Sequence, residues 1–198
     1  MTVVYATDTG HVLGVQVATG PATGTPSTVD LVGSALVATL WPTPAPTGAP
    51  DEPIAIPVPA ELLTVAAAKD LPDVLLNPTA YHVPPDATGT IDLALWPTAV
   101  AVDSLPDLTA APAGGSDPGG DVQIEVKLSS KELSLRSGGE DKTANFLVLL
   151  SGGVSAPLTG ALKAGAAAFP LTELSKGTYG VLVLMTGVSG LLVSRQVS

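Results

Sequence analysis

The chain has no cysteine, few aromatic residues and few charges, and each shortage excludes a class of protein. Without cysteine there can be no disulfide scaffold, thiolate metal site or thiol nucleophile. Aromatic residues make up 4% of the sequence, which is less than sugar-binding or single-strand-binding surfaces normally use. Charged residues make up 13% and hydrophobic residues 45%, which excludes a chain held open by its own charge.

Long apolar runs are also missing. The two longest, Phe146–Leu150 and Val181–Met185, have five residues each, whereas a membrane-spanning helix needs about 20. The first residues lack the basic region and the long apolar stretch of a secretory signal. We therefore expect no membrane span and no signal peptide, and a location in a virion or in a cytoplasmic assembled particle.

The charges that are present are divided unevenly. Residues 1–121 contain thirteen acids and one base, Lys69, whereas residues 122–198 contain seven bases and five acids. Seventeen of the 19 prolines also fall in the first part. The first part has one base for phosphate contacts, and the bases of the second part are scattered among acids, so nucleic acid is not an expected partner.

The change in composition predicts a boundary between two domains. The stretch Ala110–Asp121 contains four glycines, two prolines and no large apolar residue, which is typical of a flexible linker. We predict an all-β protein with an acidic, Pro-rich β-domain over 1–109, a Gly/Pro linker over 110–121 and a β-sandwich over 122–198. The first domain is expected to be a small barrel or a sandwich.

Alternating apolar and polar residues predict strands in the second domain. Val122, Ile124, Val126 and Leu128 alternate with polar residues, as in a strand with one buried face. Short strands separated by glycine-containing turns fit an antiparallel sandwich. The predicted strands are 122–128, 132–137, 145–151, 157–164, 166–172, 177–187 and 190–197.

The run Leu174–Val183, LSKGTYGVLV, carries a family resemblance. A turn with Gly177 leads into a strand with Tyr179 near its start, which resembles the penultimate strand of immunoglobulin-like domains and its tyrosine corner. The cysteine pair and core tryptophan of antibody domains are missing, so the similarity is to bacterial and phage immunoglobulin-like modules, over 122–198. The resemblance implies a spacer, a decoration or a binding appendage.

Two strands of this domain are apolar on both faces. In Phe146–Leu150 and Tyr179–Met185, one face carries Leu147, Leu149, Leu182 and Leu184, where an isolated sandwich would carry polar residues. Either a loop covers this face within the monomer, or the four leucines form an interface with another domain or subunit. If the four leucines form an interface, we expect Leu182→Lys to leave the domain folded and to abolish self-association.

The first domain shows weaker patterns. Residues 2–7 and 11–19, joined by Asp8-Thr9-Gly10, predict a β-hairpin. Glu61–Lys69 fits a short helix or a strand. Further extended stretches are predicted at 29–40, 53–58, 74–83 and 90–95.

No pattern in the sequence predicts catalysis or a cofactor. The two histidines, His11 and His82, have no second ligand at metal-binding spacing, and the acids form no calcium-loop pattern. Phosphate-binding glycine loops and a nucleophile elbow are missing as well. We expect a protein that is not an enzyme and binds no cofactor or metal.

Two functional hypotheses remain. The first is a structural protein of a large particle, a phage virion or a phage-tail-like assembly, which docks through one β-domain and presents the other. Its partners would be proteins, as a homo-oligomer or on a particle scaffold. The alternative is an adhesin-like or carbohydrate-binding module in which Trp41 and Trp96 stack on sugars, although each lies at a strand end where an aromatic side chain commonly seals a core.

Overall fold

The computed structural model describes residues 1–17, 26–40, 53–105, 121–138, 144–153, 157–163 and 165–198. These residues form mainly β-strands, with one short α-helix and several single-turn 3-10 helices, which confirms the predicted all-β class. Within these ranges no helix has the length and apolar character needed to cross a membrane.

The strands and the helix are numbered in chain order. The first part of the chain contains β1 (Thr2–Ala6), β2 (Val12–Gln16), α1 (Thr28–Val32), β3 (Ala35–Leu40), β4 (Ile54–Pro59), β5 (Leu63–Ala67), β6 (Tyr81–His82), β7 (Ala94–Leu95) and β8 (Ala99–Val102). The second part contains β9 (Val122–Leu128), β10 (Glu132–Ser137), β11 (Asn145–Leu150), β12 (Leu158–Ala161), β13 (Ala166–Pro170), β14 (Gly177–Met185) and β15 (Leu191–Val197).

Two four-stranded sheets face each other and form what we call the sandwich. One has the order β13-β10-β9-β8 and the other the order β12-β11-β14-β15. Their facing side chains form one buried apolar cluster that includes Ile124, Leu135, Phe146, Val148 and Val183. All seven strands predicted for this region are present, which confirms the sandwich architecture there.

The sandwich also contains a strand that the sequence analysis did not predict. Strand β8 pairs with β9 in parallel, with Ala99 opposite Val122 and Val102 opposite Glu125. The predicted boundary between domains over 1–109 and 122–198 does not separate the sheets, because Ala99–Val102 pairs with a strand that begins at Val122. The sandwich is not purely antiparallel for the same reason. The predicted linker, 110–121, lies outside the described residues except for Asp121.

A predicted local motif is present at the start of β14. The hydroxyl group of Tyr179 donates a hydrogen bond to the carbonyl oxygen of Ser175, at 3.0 Å. This is the backward hydrogen bond of a tyrosine corner. It anchors the loop that leads into the strand to the strand itself.

The remaining sheets form what we call the N-terminal unit. They are the sheet β2-β1-β5 and the pairs β3-β4 and β6-β7. The hairpin β1–β2 confirms the strands predicted around Asp8-Thr9-Gly10. The segment Glu61–Lys69 is a strand rather than a helix, because only Ala60–Leu62 forms a helical turn before β5 begins at Leu63.

One predicted extended stretch begins as a helix. In the stretch 29–40, only β3 is extended, because α1 occupies Thr28–Val32. Ser27 caps this helix: its Oγ accepts from the backbone N–H of Asp30, and the Asp30 carboxylate accepts from the backbone N–H of Ser27, both at 3.2 Å. The sequence Ser27-Thr28-Val29-Asp30 carries this capping signature, which the strand assignment overlooked.

The N-terminal unit covers the outer face of one sheet of the sandwich. Val4, Ala6, Ile56, Val58 and Leu63 form a single buried cluster with four leucines from β11 and β14. Those leucines are Leu147, Leu149, Leu182 and Leu184. Strands β11 and β14 are therefore buried on both faces, and the two parts of the chain share a core instead of each having a separate one.

The contact between the two parts is close at Gly180 in β14. A Cβ atom at this position would lie 2.8 Å from Cγ2 of Ile54 and 3.0 Å from Cδ1 of Ile56. Glycine is thus required here by the approach of β4 and not by backbone conformation. A third apolar cluster, including Val3, Val12, Val74, Tyr81 and Ile91, lies on the far side of β1.

Candidate functional site

The hairpin turn between β1 and β2 places both histidines of the chain side by side. His11 and His82 form an isolated antiparallel bridge, and the backbone N–H of Val83 donates to the carbonyl oxygen of Gly10 at 2.9 Å. Gly10 has φ +77°, and a Cβ atom there would lie 2.9 Å from the carbonyl oxygen of Val83. Only glycine therefore permits the turn that brings these segments together.

His11 links the N-terminal unit to the sandwich. Its side chain is fully buried; Nε2 lies 2.7 Å from the carbonyl oxygen of Val188, and Nδ1 lies 3.0 Å from Oγ1 of Thr9. A carbonyl oxygen can only accept, so Nε2 carries the proton and Nδ1 accepts from the Thr9 hydroxyl group. Burial lowers the pKa of His11 to about 4, so the ring is neutral near pH 7.

His82 stacks on Trp96. Their ring centroids are 3.5 Å apart and their planes are inclined by 17°, while the His11 ring lies 5.7 Å from the Trp96 ring. Burial also lowers the pKa of His82. The sequence predicted neither this stack nor the pairing of the histidines, because the three aromatic rings come from segments far apart in the chain.

Two buried nitrogen atoms in this cluster have no hydrogen-bond partner among the described residues. They are Nδ1 of His82 and Nε1 of Trp96. An indole N–H can only donate, and a buried donor without an acceptor costs about 1–3 kcal/mol. An oxygen atom that accepts from the indole would recover this free energy.

A cleft of about 300 Å³ lies beside the cluster, between the hairpin and the sandwich. Its walls come from both parts of the chain: the β1–β2 hairpin and the segment around His82 on one side, and Asn145 and Thr186 on the other. Among the described residues of the lining, Asp8 is the one acidic side chain, and none is a lysine or arginine. The cleft combines aromatic rings, hydroxyl groups, an amide and one carboxylate.

A second charged feature lies on the sandwich. Glu125 in β9 is buried, with 2% of its side chain exposed; Nζ of Lys127 lies 2.7 Å from one carboxylate oxygen and Nη1 of Arg136 3.6 Å from the other. The opposite charges of these bases compensate a carboxylate that would otherwise be unfavourable in a buried position. This arrangement is an ion-pair cluster on a sheet, and Lys127 also lines a separate cleft together with Asp103 and Arg195.

The residues proposed from the sequence lie in different places. Leu147, Leu149, Leu182 and Leu184 are together and buried under the N-terminal unit. Trp96 is half-buried in the histidine cluster, whereas Trp41 lies outside the described residues. Within the described part of the chain, no three His, Cys, Asp or Glu side chains are grouped to hold a metal ion.

No family model, curated protein or solved structure matches this chain. Function is therefore inferred from the geometry alone.

Proposed function

We propose that the chain is a non-enzymatic structural protein of a large assembled particle, a phage virion or phage-tail-like assembly. In this proposal the N-terminal unit docks onto the particle, and the sandwich, an immunoglobulin-like module, is presented outward. The observation that carries the proposal is the sheet β12-β11-β14-β15 covered on both faces. It joins two β-units into one continuous stack.

A stack of this kind holds its two parts in a fixed relative position. Its strands are packed through apolar contacts on both sides, and hydrogen bonds connect the parts: the backbone N–H groups of Ser189 and Gly190 donate to the carbonyl oxygens of Pro97 and Thr79, at 2.8 and 2.9 Å. The parts therefore cannot swing apart without breaking these hydrogen bonds and exposing the apolar cluster that they share. A module that a particle presents in a fixed orientation needs such a rigid connection to the part that docks.

Exposed leucines favour the N-terminal unit as the docking part. Leu76 and Leu95 expose 87% and 65% of their surfaces, and both belong to the region of β6, β7 and the 3-10 helices before them. The same part of the chain is acidic, with thirteen acids and one lysine in residues 1–121. Asp70 and Asp92 are exposed but already paired, with the N-terminal ammonium group and with Lys69. A partner surface with apolar and basic groups would complement the exposed leucines and the surplus of acids.

Sedimentation in the native host tests the proposal. A tagged chain should co-sediment with a large particle, and a variant with Leu76→Lys and Leu95→Lys should remain at the monomer position. Val37→Lys is the matched control, because Val37 is also exposed, at 55%, but lies in β3. The proposal is wrong if the wild-type chain stays monomeric in the gradient.

The carbohydrate-binding alternative requires Trp41 and Trp96 to be exposed, so that a sugar can stack on their rings. Trp96 is half-buried and one side of its ring is stacked on His82, so its position does not favour an open platform. The role of Trp41 stays a prediction. A platform would be supported if glycan-array binding were lost on Trp41→Ala in a chain that remains monomeric.

A further inference from the structure

We propose that the cleft between the β1–β2 hairpin and the sandwich binds a small, neutral, polyhydroxylated molecule of about the size of one sugar ring. This inference is independent of the proposed docking function, because the ligand cleft and the docking surface consist of different residues. The experiment that tests one proposal can therefore fail while the other proposal still holds.

The size of the cleft fits a small ligand. Its volume of about 300 Å³ is at the lower end of the range for ligand pockets. It also lies at the junction of two structural parts, where ligand pockets are commonly formed. The hairpin is held in place by the hydrogen bond from His11 to Val188, so the opposite walls keep a fixed separation.

The charge of the lining excludes anions. Among the described lining residues, Asp8 is the one acidic side chain and none is a lysine or arginine, and burial lowers the pKa of His82, which favours the neutral ring. A phosphate or carboxylate ligand would meet a negative charge without a compensating cation. A neutral ligand avoids this cost.

The polar groups of the lining select hydroxyl groups. Among the described residues, the side chains of Asp8, Asn145 and Thr186 form no hydrogen bond within the protein, so they can bind a ligand. Trp96 and His82 line the same cleft, and Nε1 of the first and Nδ1 of the second have no hydrogen-bond partner among the described residues. An alcohol can accept a hydrogen bond from an indole N–H and donate one to an unprotonated imidazole nitrogen.

The aromatic rings add the second element of sugar recognition. Trp96 and His82 both line the cleft, so their ring carbons add apolar surface against which the C–H groups of a sugar ring can pack. Carboxylate, amide and hydroxyl groups beside an aromatic wall are a combination that recognises a polyol and not an apolar molecule.

Tryptophan fluorescence provides a direct test. The chain has two tryptophans, so Trp41→Phe leaves Trp96 as the only reporter. This variant would be titrated with glucose, galactose, mannose and N-acetylglucosamine. At least one sugar should change the Trp96 emission in a saturable way, with a Kd on the order of 1 mM, as expected for a ligand with few atoms.

Two further substitutions locate the site. Asp8→Asn and Thr186→Val, each added to the Trp41→Phe chain, should weaken binding about tenfold, the effect of losing one ligand hydrogen bond. Asp73→Asn is the matched control, because Asp73 is exposed on a 3-10 helix that does not line the cleft, and it should leave the Kd unchanged. Retention of full affinity in both cleft variants would overturn the proposal.

Magnetisation-transfer NMR on the wild-type chain detects binding of sugars that do not change the Trp96 fluorescence. Transfer from the protein to one of the four sugars, reduced by Thr186→Val, would support the cleft. If none of the sugars gives a signal by either method up to about 50 mM, far above the expected Kd, the cleft holds only water and the proposal is wrong.

Discussion

Nε2 of His11 donates a hydrogen bond of 2.7 Å to the carbonyl oxygen of Val188, across 177 residues of chain. His11 belongs to the N-terminal hairpin, and Val188 follows β14 of the sandwich. The bond is buried, and the proton it uses is present in the neutral ring. The bond therefore joins the two parts of the chain, while burial of the same ring opposes its protonation.

We predict that the protein loses stability as the pH falls from about 6.5 to about 4. The pKa of His11 is lowered by burial from 6.5 in the unfolded chain to about 4 in the folded chain. Between these values the unfolded state binds a proton that the folded state does not, so the stabilisation is complete above pH 6.5 and is lost toward pH 4. The difference corresponds to about 3 kcal/mol.

Urea unfolding at several pH values measures this effect, with His11→Gln as the control. The amide group of glutamine can donate to Val188 but does not titrate, so the variant should lose most of the slope between pH 6.5 and 4. His82 contributes a residual slope of the same sign, because its pKa is also lowered. Two other ionisable side chains, those of Tyr5 and Asp8, line the adjoining cleft and are the same in the wild-type chain and in the variant. An unchanged slope in the variant would remove His11 as the cause.

Substitution of the covered leucines should destabilise the whole chain. Leu184 is fully buried between the N-terminal unit and the sandwich, so Leu184→Ala should lower the free energy of unfolding by about 2–5 kcal/mol. Leu182→Lys would bury an unpaired charge, and we expect this variant not to fold. Burial within the chain thus reverses the expectation, drawn from sequence, that Leu182→Lys leaves a folded monomer.

Circular dichroism and thermal unfolding would check these two variants. Leu76→Lys is the control, since Leu76 is 87% exposed and its replacement should change stability by less than about 0.5 kcal/mol. A well-folded Leu182→Lys protein would show that the N-terminal unit does not cover β14 in solution.

Gly180→Ala tests the close approach of β4 and β14. The added methyl group would lie within 3.0 Å of atoms of Ile54 and Ile56, which must shift, at a cost of about 1–3 kcal/mol. Gly14→Ala is the matched control: its Cβ would have its nearest contact at 3.7 Å, so it should be neutral or slightly stabilising. Denaturant midpoints compare the two, and equal midpoints would argue against the contact.

Tyr179→Phe should remove the hydrogen bond to Ser175 without changing the shape of the core. Because this bond is partly exposed to solvent, the expected loss is about 0.5–1.5 kcal/mol in the free energy of unfolding. Chemical denaturation measures the loss. No loss would mean that the tyrosine corner does not stabilise this domain.

Local patterns allowed much of the sandwich to be predicted. Alternation located β9 and β10, glycine turns separated the later strands, and Tyr179 indicated its own hydrogen bond. These features depend on neighbouring residues, so a single sequence contains them. The two-sided apolar character of β11 and β14 also indicated that Leu147 and Leu182 are covered. It did not indicate that the N-terminal unit is the part that covers them.

The features that could not be predicted depend on contacts between distant segments. The parallel pairing of β8 with β9 joins segments on either side of the predicted linker, and the stack of His82 on Trp96 joins residues whose spacing has no periodicity. Two lone histidines in separate segments of the chain give no sign of a shared site. The helix α1 is different, because its capping signature at Ser27 and Asp30 was present in the sequence and could have been used.

Equilibrium urea unfolding with one reporter in each part tests most directly whether the two parts form a single cooperative structure. In the Trp41→Phe chain, Trp96 fluorescence reports on the N-terminal unit, and the NMR signals of Leu135 report on the sandwich. A shared core predicts coincident transitions with the same midpoint. Two separate midpoints, with Leu135 still native after Trp96 is exposed, would contradict it.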